Sequence, residues 1–105
     1  MSANPFLELG LSEKLVNSLS SLGFEEPTPI QTKAIPVLLE GRDVLGQAAT
    51  GTGKTAAFSL PLIQRYCLDT EPGKPQVLIL TPTRELCIQV SEAINSFARS
   101  SGVYV

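Results

Sequence analysis

The residues with the clearest chemical potential are 48–55, which run Ala-Ala-Thr-Gly-Thr-Gly-Lys-Thr. They lie between a short apolar run at 44–46 and a helix-like segment at 56–60. Glycines at positions 51 and 53 allow the backbone to turn so that successive N–H groups point at one anion. The N-terminus of the following helix adds unpaired donors and a partial positive charge. The sequence therefore predicts a phosphate-binding loop at 48–55.

Each residue type in this loop suits a nucleotide and its metal ion. Lys54 is expected to bind the β- and γ-phosphates, and the Thr55 hydroxyl is expected to ligate Mg²⁺, so these two are the candidate catalytic residues. The candidate cofactor-binding residues of the loop are Ala49, Thr50, Gly51, Thr52, Gly53, Lys54 and Thr55. An ordinary glycine turn before a helix is the alternative interpretation, and Ala48 stands where the strict pattern has Gly.

The overall composition restricts the class of protein. A chain of 105 residues suits one small domain, and a net charge of −2 gives no broad attraction to nucleic acid. No apolar run approaches the roughly 20 residues of a membrane span, and the first ten residues lack the apolar core of a secretory signal. Cys67 and Cys87 form no metal-binding pattern, which favours two reduced, buried thiols. We therefore expect a cytoplasmic protein without a membrane segment.

Capping and breaking residues predict four helices. These helices begin near Ser12, Thr28, Gly53 and Thr83. Gly23 and Gly41 are expected to end the first two, and Pro36 and Pro61 are expected to kink or shorten the second and third. The first helix has an apolar stripe of Leu11, Leu15, Leu19 and Leu22, and the last has one of Leu86, Val90, Ala93 and Phe97.

Short apolar runs at 44–46, 77–80 and 103–105 predict three strands between these helices. The alternation of strands and helices indicates an α/β fold with a parallel sheet and flanking helices.

Two further segments accompany the loop. One is 23–31, Gly-Phe-Glu-Glu-Pro-Thr-Pro-Ile-Gln, with Phe6 upstream, and the other begins Pro-Thr-Arg-Glu-Leu at Pro82. In content, order and spacing they resemble the Q motif, motif I and motif Ia of the DEAD-box ATP-dependent RNA helicases, over nearly the whole chain from Phe6 to about Phe97. The resemblance implies a P-loop NTPase fold, a partial RecA-like domain with the Q motif at 4–32, the phosphate loop at 48–55 and motif Ia at 82–89. It also implies ATP and Mg²⁺ as cofactors and RNA as a partner.

The resemblance assigns further residues to ligands. Phe6 is expected to pack near the adenine, and Gln31 is expected to recognise its edge, since an amide offers the donor and acceptor that adenine requires. Thr28 and Gln31 also form a potential capping box, and the two roles of Gln31 are compatible. Pro82, Thr83 and Arg84 are expected to contact the RNA backbone without reading its sequence.

The acidic part of the family's catalytic site is not in the sequence. No Asp or Glu follows an apolar strand, and the tetrapeptide Asp-Glu-Ala-Asp does not occur. We therefore expect the N-terminal fragment of a helicase that lacks the second RecA-like domain and is inactive by itself. Its apolar runs at 44–45 and 77–80 are expected to be exposed, because the neighbouring strands lie beyond Val105. The alternatives are an inactive nucleotide-binding or interaction module, or another P-loop class such as a small kinase, which explains neither Gln31 nor Pro82.

Overall fold

The computed structural model describes residues 4–47, 53–67, 73–99, 103 and 105. Within these residues it contains five α-helices and one π-helix. They are α1 (Pro5–Glu8), α2 (Glu13–Ser21), α3 (Pro29–Leu39), α4 (Lys54–Leu62), the π-helix (Ile63–Cys67) and α5 (Arg84–Ala98).

Three of the helices begin with the side-chain cap that the sequence predicts. The Ser12 hydroxyl accepts from the Leu15 N–H at 3.4 Å. The Thr28 and Thr83 hydroxyls do the same for the N–H groups three residues later, at 3.4 and 3.1 Å. Each cap satisfies a donor that has no partner inside its own helix. The predicted starts of α2, α3 and α5 are therefore confirmed.

The helix ends follow the predicted glycines, and α4 is shortened near its proline. Gly23 and Gly41 have φ angles of +90° and +85°, the left-handed conformation common just after a helix. Helix α3 continues through Pro36 to Leu39, and a kink at Pro36 stays a prediction. Helix α4 ends one residue after Pro61 and passes into the π-helix, which agrees with the predicted shortening.

The core lies between α1, α2, α3, α4 and α5. Its buried side chains include Phe6, Leu11, Leu15, Val16, Leu19, Ile35, Ala56, Leu60, Ile63, Ile94, Phe97 and Ala98. The predicted burial is wrong for two residues of the apolar stripes, since Leu22 is 43% exposed and Leu86 is 38% exposed. Leu22 lies just past the end of α2, and Leu86 lies in the first turn of α5, so neither reaches the packed middle of its helix.

Helix α1 is an element that the sequence analysis did not predict. The Asn4 side chain accepts from the Phe6 N–H at 2.9 Å, and Pro5 occupies the first helical position. This pair is a recognised start signal for a helix, so the information was in the sequence. The helix places Phe6 in the core, fully buried.

The predicted strands are not formed in the part of the chain that the structure describes. Residues 44–46 and 77–80 carry no strand hydrogen bonds, and positions 103 and 105 are likewise outside any strand. A strand is stable only when a neighbour satisfies its backbone groups, and no neighbour is present among the described residues. Leu45, Leu78 and Leu80 are 96%, 82% and 84% exposed, as expected for apolar runs without a covering layer.

The two cysteines lie in different environments. Cys67 is half-buried, and burial raises the pKa of its thiol above the ordinary value. Cys87 is exposed on α5, so the prediction of a buried thiol is wrong for this residue. Among the helices of the described ranges, none is long and apolar enough to cross a bilayer.

Candidate nucleotide-binding site

The start of α4 offers backbone donors to an anion. Gly53 stands at the N-cap with φ +84°, and no side chain of the described residues caps this helix. The first N–H groups of α4 therefore keep their hydrogen-bonding capacity and carry the positive end of the helix dipole. The predicted loop residues Ala49, Thr50, Gly51 and Thr52 lie outside the described residues.

Lys54 and Thr55 are the first two residues of this helix. The Lys54 side chain is exposed, and Thr55 is half-buried. An exposed ammonium at an uncapped helix N-terminus adds a full charge to the partial charge of the backbone donors. This end of α4 therefore suits a phosphate group.

Gln31 connects α3 to the start of α4. Its side chain is only 1% exposed. The Oε1 atom accepts from the Thr28 N–H at 3.0 Å, which completes the predicted capping box. The Nε2 atom donates to the Gly53 carbonyl at 3.2 Å. A primary amide has two N–H donors, and the second donor of Gln31 makes no hydrogen bond to the described residues.

The same contact explains why a glycine stands at position 53. A Cβ atom built there would collide with the Gln31 amide, and the Thr28 hydroxyl oxygen would lie 3.3 Å from it. The positive φ angle also disfavours any other residue. Gly53 therefore allows α3 and the end of the predicted phosphate loop to approach closely.

Phe6 lies in the core rather than on an open surface. Its ring packs edge-on against Phe24, with centroids 6.3 Å apart, and Phe24 packs in the same way against Phe97 at 5.7 Å. Edge-to-face pairs of this kind stabilise a core beyond simple burial. The structure thus gives Phe6 a packing role, and its contact with adenine stays a prediction.

The three candidate RNA-binding residues form an exposed helix start. Pro82, Thr83 and Arg84 are all exposed, and Arg84 is the first residue of α5. The Thr81 hydroxyl donates to the Thr83 carbonyl at 3.2 Å, which stabilises the turn before the helix. This surface leaves the arginine accessible to an anion.

A cavity of about 540 Å³ brings the two candidate surfaces together. Gly53, Lys54 and Thr55 lie along one part of its wall, and Thr81 and Pro82 lie along another. Much of the remaining wall is apolar and includes Phe24, Phe58, Ile79, Leu80, Val90 and Phe97. The start of α4 and the turn before α5 therefore border one space, and Pro82 is the candidate RNA-binding residue in its lining. The apolar wall itself does not resemble a phosphate site.

The described residues fit a nucleotide better than a metal bound by protein alone. The uncapped helix, the exposed Lys54 and the tight glycine suit a phosphate. No group of three or more His, Cys, Asp or Glu residues in the described ranges is arranged to hold a metal ion. Mg²⁺ commonly binds through few protein ligands together with substrate phosphates and water, so Thr55 as a Mg²⁺ ligand stays a prediction.

Comparisons with known proteins identify the family of the chain. A family model for DEAD/DEAH box helicases matches residues 28–105, more than half of the chain. The chain is 56% identical over 94 residues to the ATP-dependent RNA helicase DeaD of Escherichia coli K12, covering 90% of this chain and 15% of that protein. It is 57% identical over 100 residues to the RNA helicase CrhR of Synechocystis, covering 95% and 20%. The chain thus spans a fifth or less of these curated relatives.

Solved structures of helicases have the same fold over this region. Prp28 from Chaetomium thermophilum bound to ADP matches with a TM-score of 0.86 and 44% identity, covering 93% of this chain and 24% of that one. Dbp5 from S. cerevisiae bound to RNA and ADP BeF3 matches with a TM-score of 0.81 and 38% identity, covering 92% and 25%. These neighbours support the P-loop NTPase fold class, while the sheet itself is not formed among the described residues. On the family model and the two curated relatives together, the chain belongs to the DEAD-box RNA helicase family.

Proposed function

We propose that this chain is the adenine-nucleotide-binding part of an ATP-dependent RNA helicase. The observation that carries the proposal is the hydrogen bond from Gln31 Nε2 to the Gly53 carbonyl. This bond holds the candidate adenine-recognising amide against the end of the candidate phosphate loop. A glycine turn with no ligand would not require a buried amide from another helix at this point.

Different residues bind different parts of the nucleotide. Lys54 and the first N–H groups of α4 bind the β- and γ-phosphates, and residues 49–52 complete the loop around them. Thr55 contributes its hydroxyl to the Mg²⁺ shell. Gln31 donates its second N–H to the adenine edge, while the Thr28 N–H keeps its amide oriented. ATP supplies the γ-phosphoryl group whose hydrolysis drives the conformational cycle of the helicase.

RNA binds along its backbone at the exposed start of α5. Thr83 and Arg84 offer a hydroxyl and a guanidinium, and both suit phosphate oxygens. The net charge of −2 gives no long-range attraction, so the affinity depends on these local contacts. Support comes from the exposure of Pro82, Thr83 and Arg84. Pro82 also lines the same cavity as Lys54. A cytoplasmic location stays a prediction.

The 105 residues alone bind a nucleotide without hydrolysing it. Hydrolysis in this class needs a carboxylate for the Mg²⁺ shell and a group that orients the attacking water. Neither of the predicted strands at 44–46 and 77–80 is followed directly by an Asp or Glu, so neither strand end supplies these groups. This property favours the second candidate, a nucleotide-binding or interaction module, as the function of the chain when it is separate from a full-length helicase.

Phosphate release measured with and without RNA tests two statements. The first is that the full-length protein hydrolyses ATP, and the second is that the 105 residues alone do not. We expect RNA-stimulated release from the full-length protein that contains this sequence, and release at background from the 105 residues alone. Clear RNA-stimulated release from the 105 residues, lost in Lys54→Ala, would contradict the second statement. A full-length protein with no ATPase activity on any RNA would contradict the first.

A further inference from the structure

Gln64 is a side chain to which no motif assigns a role, and it makes two long-range hydrogen bonds. Its Nε2 atom donates to the Gly10 carbonyl at 2.9 Å, and its Oε1 atom accepts from the Ser12 N–H at 2.7 Å. The partners are 54 and 52 residues away in the sequence. One amide therefore binds the backbone on both sides of Leu11, in the turn that joins α1 to α2.

This turn controls the position of α1. The helix is four residues long, which is too short to be stable without support from the rest of the protein. Gly10, with φ +105°, makes the turn and lies so close to α3 that a Cβ atom there would be 3.1 Å from Leu39 Cδ1. Gln64 thus holds the end of α1 at the place where it meets α3.

Gln64 belongs to an element that is continuous with the candidate phosphate site. The π-helix Ile63–Cys67 follows directly on α4, whose first residue is Lys54. The next residue, Arg65, donates to the Leu39 carbonyl at 2.7 Å, so two consecutive side chains of the π-helix connect α4 to the ends of α1 and α3.

A series of contacts leads from α1 to the candidate adenine contact. Phe6 of α1 packs on Phe24, which lies in the segment that runs directly to Thr28 and Gln31. Gln31 in turn bonds to Gly53 at the beginning of α4. These contacts form a closed ring that begins and ends at α4 and passes through Gln64, α1, Phe24 and Gln31. The ring includes the part of the site that is proposed to bind the adenine base.

We propose that Gln64 is a positioning residue for adenine recognition, acting through the turn at 10–12 and α1 on the Phe24–Gln31 segment. The inference rests on the proposed function, because it specifies how the base side of that same nucleotide site is held. Gln64 does not contact the nucleotide. It fixes the N-terminal segment relative to α4, so that the phosphates and the base are bound by one rigid unit.

Equilibrium binding of ADP and GDP to the full-length protein, with Mg²⁺, tests the proposal. Gln64→Met removes both hydrogen bonds at similar volume, and we expect the Kd for ADP to rise about tenfold while the Kd for GDP is unchanged. Gln64→Glu keeps the acceptor for the Ser12 N–H but loses the donor to Gly10, so its Kd for ADP should lie between those of the wild type and Gln64→Met. Arg65→Ala is the matched control, because it removes a similar bond from the same π-helix to α3, and it should keep the wild-type preference for ADP.

The outcomes separate this inference from the proposed function. An unchanged Kd for ADP in Gln64→Met, or equal weakening of ADP and GDP, would overturn the positioning role while the nucleotide site stands. The same loss of preference in Arg65→Ala would also overturn it, since general destabilisation would then explain the effect. A wild-type protein that does not prefer ADP over GDP would refute the proposed function itself, and the inference with it.

Discussion

Replacing Lys54 with alanine in the full-length protein is expected to lower RNA-stimulated ATP hydrolysis by about a hundredfold or more, the usual effect of removing a group that stabilises developing charge. Lys54 is exposed at the first position of α4, and the structure gives it no part in the core. The substitution should therefore remove the phosphate contact without disturbing the fold. Phosphate release and the thermal unfolding midpoint, measured together, distinguish these effects.

Lys33→Ala is the matched control for this variant. Lys33 is an exposed lysine on α3, so its replacement changes the net charge by the same amount at a site away from the start of α4. We expect wild-type hydrolysis in the control. A Lys54→Ala protein that hydrolyses ATP at the wild-type rate would show that the start of α4 is not the phosphate site.

Replacing Gln31 is expected to have the second large effect, and two variants separate its two roles. Gln31→Glu keeps an acceptor for the Thr28 N–H, so the capping box of α3 is preserved. The carboxylate has no N–H for the Gly53 carbonyl or for adenine, and it places a negative charge beside the phosphates. We expect the KM for ATP to rise about a hundredfold, because both a buried hydrogen bond and a charge interaction become unfavourable.

Thr28→Ala tests the cap without removing the amide. It should lower the free energy of unfolding by about 1 kcal/mol, the usual cost of a lost N-cap, and keep the preference for ATP over GTP. Gln31→Ala should lose that preference as well as stability. If Thr28→Ala and Gln31→Ala have the same effects on stability and selectivity, Gln31 is a cap and nothing more.

The features that sequence predicted well are local. Ser12, Thr28 and Thr83 cap their helices through hydrogen bonds to residues three positions later, so the pattern and the contact span the same short stretch. The capping box of Gln31 was predicted for the same reason. Helix α1 has an equally local signal in Asn4 and Pro5, and it was missed because four residues give too short an apolar pattern.

The features that sequence did not predict depend on distant residues. Gln31 meets Gly53 across 22 positions, and Gln64 meets Ser12 across 52. No spacing rule signals such bonds, because they exist only after the helices have packed. The predicted strands at 44–46 and 77–80 fail for a different reason. Their apolar pattern is clear, but a strand also needs a neighbouring strand to pair with, and the described residues offer none.

The site is thus only partly predictable from its residues. The types and order of Lys54, Thr55, Gln31 and Arg84 indicated a nucleotide and RNA, and the family comparisons agree with that class of protein. Phe6 is expected near adenine and its ring is fully buried against Phe24, so its contact with adenine stays a prediction. An aromatic residue suits a core and a base equally well, so its type alone could not distinguish the two.

Competition between unlabelled ADP and GDP for a site occupied by fluorescent ADP, on the full-length wild-type protein with Mg²⁺, tests the central claim most directly. The claim is that a phosphate site at the start of α4 is made adenine-selective by Gln31. We predict that ADP displaces the probe at a concentration at least about tenfold lower than GDP, the equivalent of one or two hydrogen bonds to the base. Equal displacement by the two nucleotides, unaffected by Gln31→Ala, would contradict the account.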